Sequence, residues 1–173
     1  MMTPTKKTPT AGHKPAQRSK IRIERTYQAS LDDLWVLWTT KEGLESWWGP
    51  EGFITKVRTL ELRSGGLWEY AMTATGPEQV EFMKRAGMPL STITRATYTD
   101  VVSKARLSYD NLVDFIPGVA PYAAAVTVDF HPTPHGVRMT LTLDAMHDQR
   151  WTEMARRGWE SQLGRFAAAA LGR

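Results

Sequence analysis

From Ile21 onward apolar and polar residues alternate. Ile21, Ile23 and Tyr27 fall in one phase and Arg22, Glu24 and Gln28 in the other, the period-two pattern of a strand with one buried face. Arg25 shares the apolar phase and therefore needs a partner or a path to water. Ser30 and Asp33 then form a capping box, and Leu31, Leu34, Trp35 and Trp38 recur at helical spacing. Thr40 is placed to cap a second short helix reaching Trp48. Six further strands are predicted, over about 53–62, 67–75, 92–102, 106–115, 122–131 and 137–144. Each is bounded by turn residues such as Ser64-Gly65-Gly66, Gly76-Pro77 and Pro117-Gly118.

Strands joined in this way make an antiparallel meander with one apolar face, and that face has to be covered. The cover is the segment 148–171, where Trp151, Met154, Ala155, Gly158, Trp159, Gln162, Leu163, Phe166 and Ala170 repeat every three or four residues. Gly158 in mid-helix costs stability unless it serves close packing, so it is expected to mark the point where the helix approaches the sheet. One segment exceeds this minimal plan. Pro77 at a first turn, Glu78 near the positive end of a helix dipole and Gly87 before Pro89 predict an inserted helix over 77–87, with Val80, Phe82 and Met83 as its apolar residues.

The richest motif is Trp47-Trp48-Gly49-Pro50-Glu51-Gly52-Phe53, followed by Glu61-Leu62-Arg63-Ser64-Gly65-Gly66-Leu67-Trp68-Glu69-Tyr70. Gly49 ends a helix in the left-handed conformation, Pro50 cannot continue one, and the paired glycines suit a tight hairpin. With Ser30-Leu31-Asp32-Asp33-Leu34-Trp35 upstream and Gly158-Trp159 near the end, the chain resembles the START-like (SRPBCC) helix-grip superfamily. Within it the likeness is to the branch named after the activator of the heat-shock protein 90 ATPase, over roughly 21–171. Glu61 stands where that family usually has Asp, and Ser64 where it has Pro. The resemblance implies an α+β helix-grip fold. It comprises a seven-stranded curved antiparallel sheet wrapped around a long C-terminal helix, two short helices after the first strand and, in this chain, the extra helix between the third and fourth strands.

Composition narrows the function classes. A chain of 173 residues with 42% hydrophobic content suits one domain. The net charge of +4 does not point to nucleic acid, because Lys6, Lys7, Lys14, Arg18 and Lys20 sit in a leader without interleaved aromatics. Residues 1–19 carry no apolar periodicity and read as a disordered basic leader, with 20–173 as the domain. Zero cysteines exclude disulfide and thiol chemistry. No membrane insertion and no secretory signal are expected, so the location implied is cytoplasmic.

No cofactor and no metal are expected. His13, His131, His135 and His147 are scattered, and no phosphate-binding or dinucleotide fingerprint is present. His147 lies beside Asp144 and Asp148 and reads as a loop or capping residue before the last helix, with general base as the sharper alternative. Asp110 and Asp114 would be candidate acids if they pointed inward, but the phase of their strand turns Leu107, Tyr109, Asn111, Val113 and Phe115 inward instead.

The candidate ligand-binding residues are therefore aromatic and apolar. Trp48, Phe53, Trp68, Tyr70, Met72, Tyr98, Tyr109, Phe115 and Trp159 either line a cavity or fill the core of a strongly curved sheet. Asn111 and Met154 join them from the same faces, and Phe82 and Met83 from the inserted helix, which either closes a cavity mouth or stabilises a sheet edge or a homodimer contact. The leading expectation is binding of a hydrophobic or aromatic small molecule between sheet and C-terminal helix. A cyclase- or dehydratase-like enzyme is the alternative that the resemblance implies, since relatives of the fold include aromatic polyketide cyclases. A co-chaperone-like interaction domain ranks last, because the founding co-chaperone carries a further domain.

Overall fold

The computed structural model describes residues 17–173. Strand β1 (Lys20–Tyr27) leads into helices α1 (Leu31–Thr39) and α2 (Lys41–Trp47). Strands β2 (Phe53–Leu60) and β3 (Leu67–Ala74) precede helix α3 (Pro77–Arg85). Strands β4 (Ser91–Val102), β5 (Arg106–Val113), β6 (Tyr122–Thr133) and β7 (Gly136–Asp144) follow, and helix α4 (Gln149–Leu171) ends the chain. The seven strands form one antiparallel sheet in the order β1-β7-β6-β5-β4-β3-β2. This is the α+β helix-grip architecture the sequence pattern predicts, with element ends differing by at most two residues. The leader reading falls on residues 1–16, outside the described residues. Of the next three, Arg18 donates to the Ala123 carbonyl at 2.8 Å, and the Ser19 carbonyl accepts from the Ala145 N–H at 2.8 Å.

Local chemistry explains the two small helices. The Ser30 hydroxyl accepts from the Asp33 N–H at 3.0 Å. The Thr40 hydroxyl serves both helices, donating to the Val36 carbonyl at 2.9 Å and accepting from the Gly43 N–H at 3.0 Å. In the β2–β3 turn only Gly65 has a positive φ, at 79°. Gly66 is needed for a different reason from the one the sequence suggests. A Cβ there would lie 2.0 Å from the Glu61 carbonyl oxygen. The Glu61 carboxylate caps this turn by accepting from the Leu67 N–H at 2.8 Å, a structural role for the residue that departs from the family pattern.

Packing divides α4 in two. Leu163, Phe166 and Ala170 are buried, with the Phe166 ring centroid 4.7 Å from that of Trp47 and 5.0 Å from that of Tyr27. Gln162 is buried as well, but the helix before it buries no residue fully. That part stands over the sheet instead of resting on it. Arg25, in the apolar phase of β1, resolves its conflict through an ion pair with Glu160 on α4.

Candidate functional site

The space beneath the N-terminal half of α4 is a cavity of about 310 Å³, lined by β2, β3, β4, β5, α3, α4 and the loop before it. A second cavity of about 250 Å³ adjoins it under Gly158 and Trp159. The two share Tyr70, Met72, Asn111, Phe115, Met146 and Ala155 as a common wall. Strand alternation supplies that wall. Tyr70 and Met72 share the inward phase of β3 and Asn111 that of β5, while Thr92 and Thr94, in the inward phase of β4, line the first cavity alone.

Phe53, Tyr70, Met72, Phe82, Met83, Asn111, Phe115 and Met154 come together on the first cavity, and Trp48 and Trp159 on the second. Trp68, Tyr98 and Tyr109 line neither. They are at most 2% exposed and pack on one another, with Trp68 to Tyr109 at 5.2 Å and Tyr98 to Tyr109 at 6.2 Å between ring centroids. These three fill the deep half of the sheet, where α1, α2 and the end of α4 already press down. Asp110 takes the opposite phase of β5, Asp114 lies just beyond the strand, and neither lines a cavity.

Sequence reasoning passed over Pro50, Met88, Thr92, Thr94, Met146, Trp151 and Ala155 on the first cavity. A signal existed for some of them. Thr92 and Thr94 continue the inward phase of Tyr98, and Trp151 and Ala155 belong to the same helical stripe as Met154. Met88 and Met146 lie in loops, where no periodicity marks them. Five of the chain's eight methionines, Met72, Met83, Met88, Met146 and Met154, line this cavity. Unbranched thioether side chains adapt to ligands of differing shape.

Gly158 requires a correction. A Cβ built there meets nothing within 4 Å, and the residue lines the second cavity. The glycine leaves space between helix and sheet instead of permitting contact, because the neighbouring turn carries Trp159, whose ring holds the helix off at 5.4 Å from that of Trp48.

The cavity wall is almost free of charge. Tyr70 is the only titratable side chain on the first cavity, and burial pushes its hydroxyl up to about 12, so it stays protonated at neutral pH. The second cavity adds one carboxylate, Asp144, which pairs with Lys20 and accepts from the Ala125 N–H at 2.9 Å. His147 lies outside both linings. Its Nδ1 is 3.0 Å from the Tyr122 hydroxyl, which ties the loop before α4 to β6, the loop role the sequence favours.

The motif Trp48-Gly49-Pro50 is held by α4. Gln162 accepts from the Gly49 N–H at 2.8 Å, Ser161 accepts from the Glu51 N–H at 3.0 Å, and Arg165 donates to the carbonyls of Gly49 at 2.8 Å and Phe53 at 3.1 Å. Gly49 adopts φ of 98°, which turns its carbonyl and the next towards the guanidinium. Arg165→Ala is therefore expected to lower stability by about 1.5–3 kcal/mol, the worth of hydrogen bonds to a charged donor. Urea denaturation checks this, and Arg165→Lys should restore only part of the loss, since an ammonium cannot spread over the same carbonyls.

The sequence model of the family described as Activator of Hsp90 ATPase homolog 1-like protein matches residues 28–170. The chain belongs to that family. Solved structures share the fold. The crystal structure of protein CV1439 from Chromobacterium violaceum is 22% identical, with a TM-score of 0.72 over 87% of this chain and 96% of that one. The solution structure of an AHSA1-like protein from Aeromonas hydrophila is also 22% identical, with a TM-score of 0.68 over 89% and 93%. That of a protein from Arthrobacter aurescens is 21% identical, with a TM-score of 0.70 over 89% and 87%. No curated protein matches the chain. At such identities the likeness concerns the fold alone, and family membership does not transfer an activity. Among the described residues no helix is long and apolar enough to cross a membrane.

Proposed function

We propose that this protein binds a hydrophobic or aromatic small molecule in the space between the sheet and α4. The observation that carries the reading is an apolar, methionine-rich cavity of about 310 Å³ whose only titratable lining group is a tyrosine protonated at neutral pH. That volume lies at the small end of ligand pockets. A cyclase- or dehydratase-like reaction would call for an acid or base that reaches the substrate. Asp144, the one carboxylate on either wall, is engaged by Lys20 and Ala125, which favours carriage or sensing over catalysis. A chain without cysteine suits a reducing cytosol.

The neutral fluorophore N-phenylnaphthylamine tests the reading. Saturable enhancement at one molecule per chain is expected, together with a small molecule co-purifying in native mass spectra of protein from its own host. Neither appearing would overturn the proposal.

Helix α3 supplies the mouth. Met83 is buried, Phe82 is half-exposed, and both line the cavity together with Phe53. The N-terminus of the helix is tied down, because the Thr75 and Gly76 N–H groups donate to the Gly52 carbonyl at 2.8 and 2.9 Å. The far end is followed by Gly87 at φ of 66°, so movement as a lid is expected to hinge at the tied end. Hydrogen exchange across 77–87 is expected to slow when N-phenylnaphthylamine binds, and unchanged protection would count against a lid.

A further inference from the structure

We infer that the ligand is an uncharged apolar molecule carrying one hydrogen-bond acceptor of the carbonyl class, received by Asn111 and Tyr70, with Thr94 beside them. This rests on the cavity-binding reading and goes further by assigning the chemistry of the ligand and the residues that read it. Sheet register places the three side chains together. Tyr70 lies directly opposite Thr94, and Asn111 lies opposite Ala96, two residues along β4 from Thr94. Asn111 and Thr94 are thus diagonal neighbours about 7–8 Å apart, within reach of one ligand group.

The neighbours of Asn111 are small. Ala96 flanks it on one side and Ala124 on the other, so no bulky side chain covers its amide. That amide enters no side-chain hydrogen bond among the described residues, and Asn111 lines both cavities. Tyr70, held protonated by burial, offers a hydroxyl donor, and the Thr94 hydroxyl and the Trp48 Nε1–H both sit against its oxygen, which leaves the Tyr70 O–H to point at a ligand. The Asn111 amide carries an NH2 donor beside its acceptor oxygen, so it and the Tyr70 O–H can both donate to one ligand oxygen, and the complement of two convergent donors is an acceptor.

Charge is disfavoured from both directions. Neither lining contains a cationic side chain, so a ligand carboxylate would be desolvated without compensation. A ligand cation would have to compete with Lys20 for Asp144. A carbonyl on a ring or short chain satisfies the donors at no such cost, and its hydrocarbon body fills the methionine-lined mouth.

Four probes sharing one phenylbutyl frame test this: butyrophenone, butylbenzene, phenylbutyrate and phenylbutylamine. Binding is read from the indole N–H resonances of the uniformly labelled protein, in which Trp48, Trp151 and Trp159 report on the two cavities. Butyrophenone is expected to bind most tightly. Asn111→Leu is expected to weaken butyrophenone about tenfold, the loss of one hydrogen bond, while changing butylbenzene by less than about twofold. Tyr70→Phe retains the ring, guards against a folding defect in the first variant, and is expected to discriminate in the same direction. The inference is overturned if both variants weaken ketone and hydrocarbon alike, or if either charged probe matches butyrophenone. If none of the four binds while N-phenylnaphthylamine does, this inference alone falls. If N-phenylnaphthylamine fails as well, the cavity reading falls with it.

Discussion

Gly158→Leu is expected to stabilise the protein by about 1 kcal/mol while weakening N-phenylnaphthylamine binding roughly 10–100-fold. The two effects share one cause. Any non-glycine residue in mid-helix lowers the conformational entropy of the unfolded chain, and here the new side chain enters open space, since a Cβ at this position meets nothing within 4 Å. The leucine then occupies part of the 250 Å³ beneath the helix, next to Trp48 and Trp159, and gains burial of its own. A ligand reaching that depth would have to displace it. Thermal melting and a fluorescence titration of the same variant check both signs. A lower melting temperature with unchanged affinity would show that the helix rests on the sheet at Gly158.

The second large effect is alkaline unfolding. Tyr27 and Tyr70 are each pushed up to about 12 by burial, and Tyr98 and Tyr109 are raised further for the same reason. An unfolded tyrosine ionises near 10. Between that value and the folded one, the unfolded chain sheds protons that the folded chain retains, so the stability each tyrosine contributes is intact below pH 10 and lost as pH rises. The expected slope is about 1.4 kcal/mol per pH unit for each such tyrosine, and four together should unfold the domain well before pH 12. Tyrosinate absorbance and circular dichroism should change in one cooperative step. Tyrosines titrating gradually near pH 10 without loss of structure would show that the interior is wet.

The sheet, its seven strands and the covering helix were readable from the chain because both periods are local. Ile21-x-Ile23 and Trp151-x-x-Met154-Ala155 state on their own which face is apolar, and Ser30, Thr40 and Asp148 cap the helices within three residues of the groups they satisfy. The inserted helix was legible for the same reason, from Pro77 at its start and Gly87 just beyond its end. The inward phase of β5, and hence the direction of Asn111, also followed from alternation alone.

Which inward residues line a space and which fill the core was decided only by tertiary structure. Trp68 and Tyr70 share a strand and a phase, yet Trp68 lies under the aromatic cluster and Tyr70 at the cavity wall, because α1, α2 and the end of α4 press on one half of the sheet and not on the other. Nothing within a few residues of either side chain encodes where a helix 90 positions later will stand off. Gly158 shows the same limit, since a mid-helix glycine fits a close contact and an open cavity equally well until the distance to the facing wall is known. The chain by itself determined the elements and their faces, which depend on neighbours in sequence. The separation of those faces in space, and with it the cavity and the clamp of Arg165 on Gly49 and Phe53, depended on how distant side chains share volume.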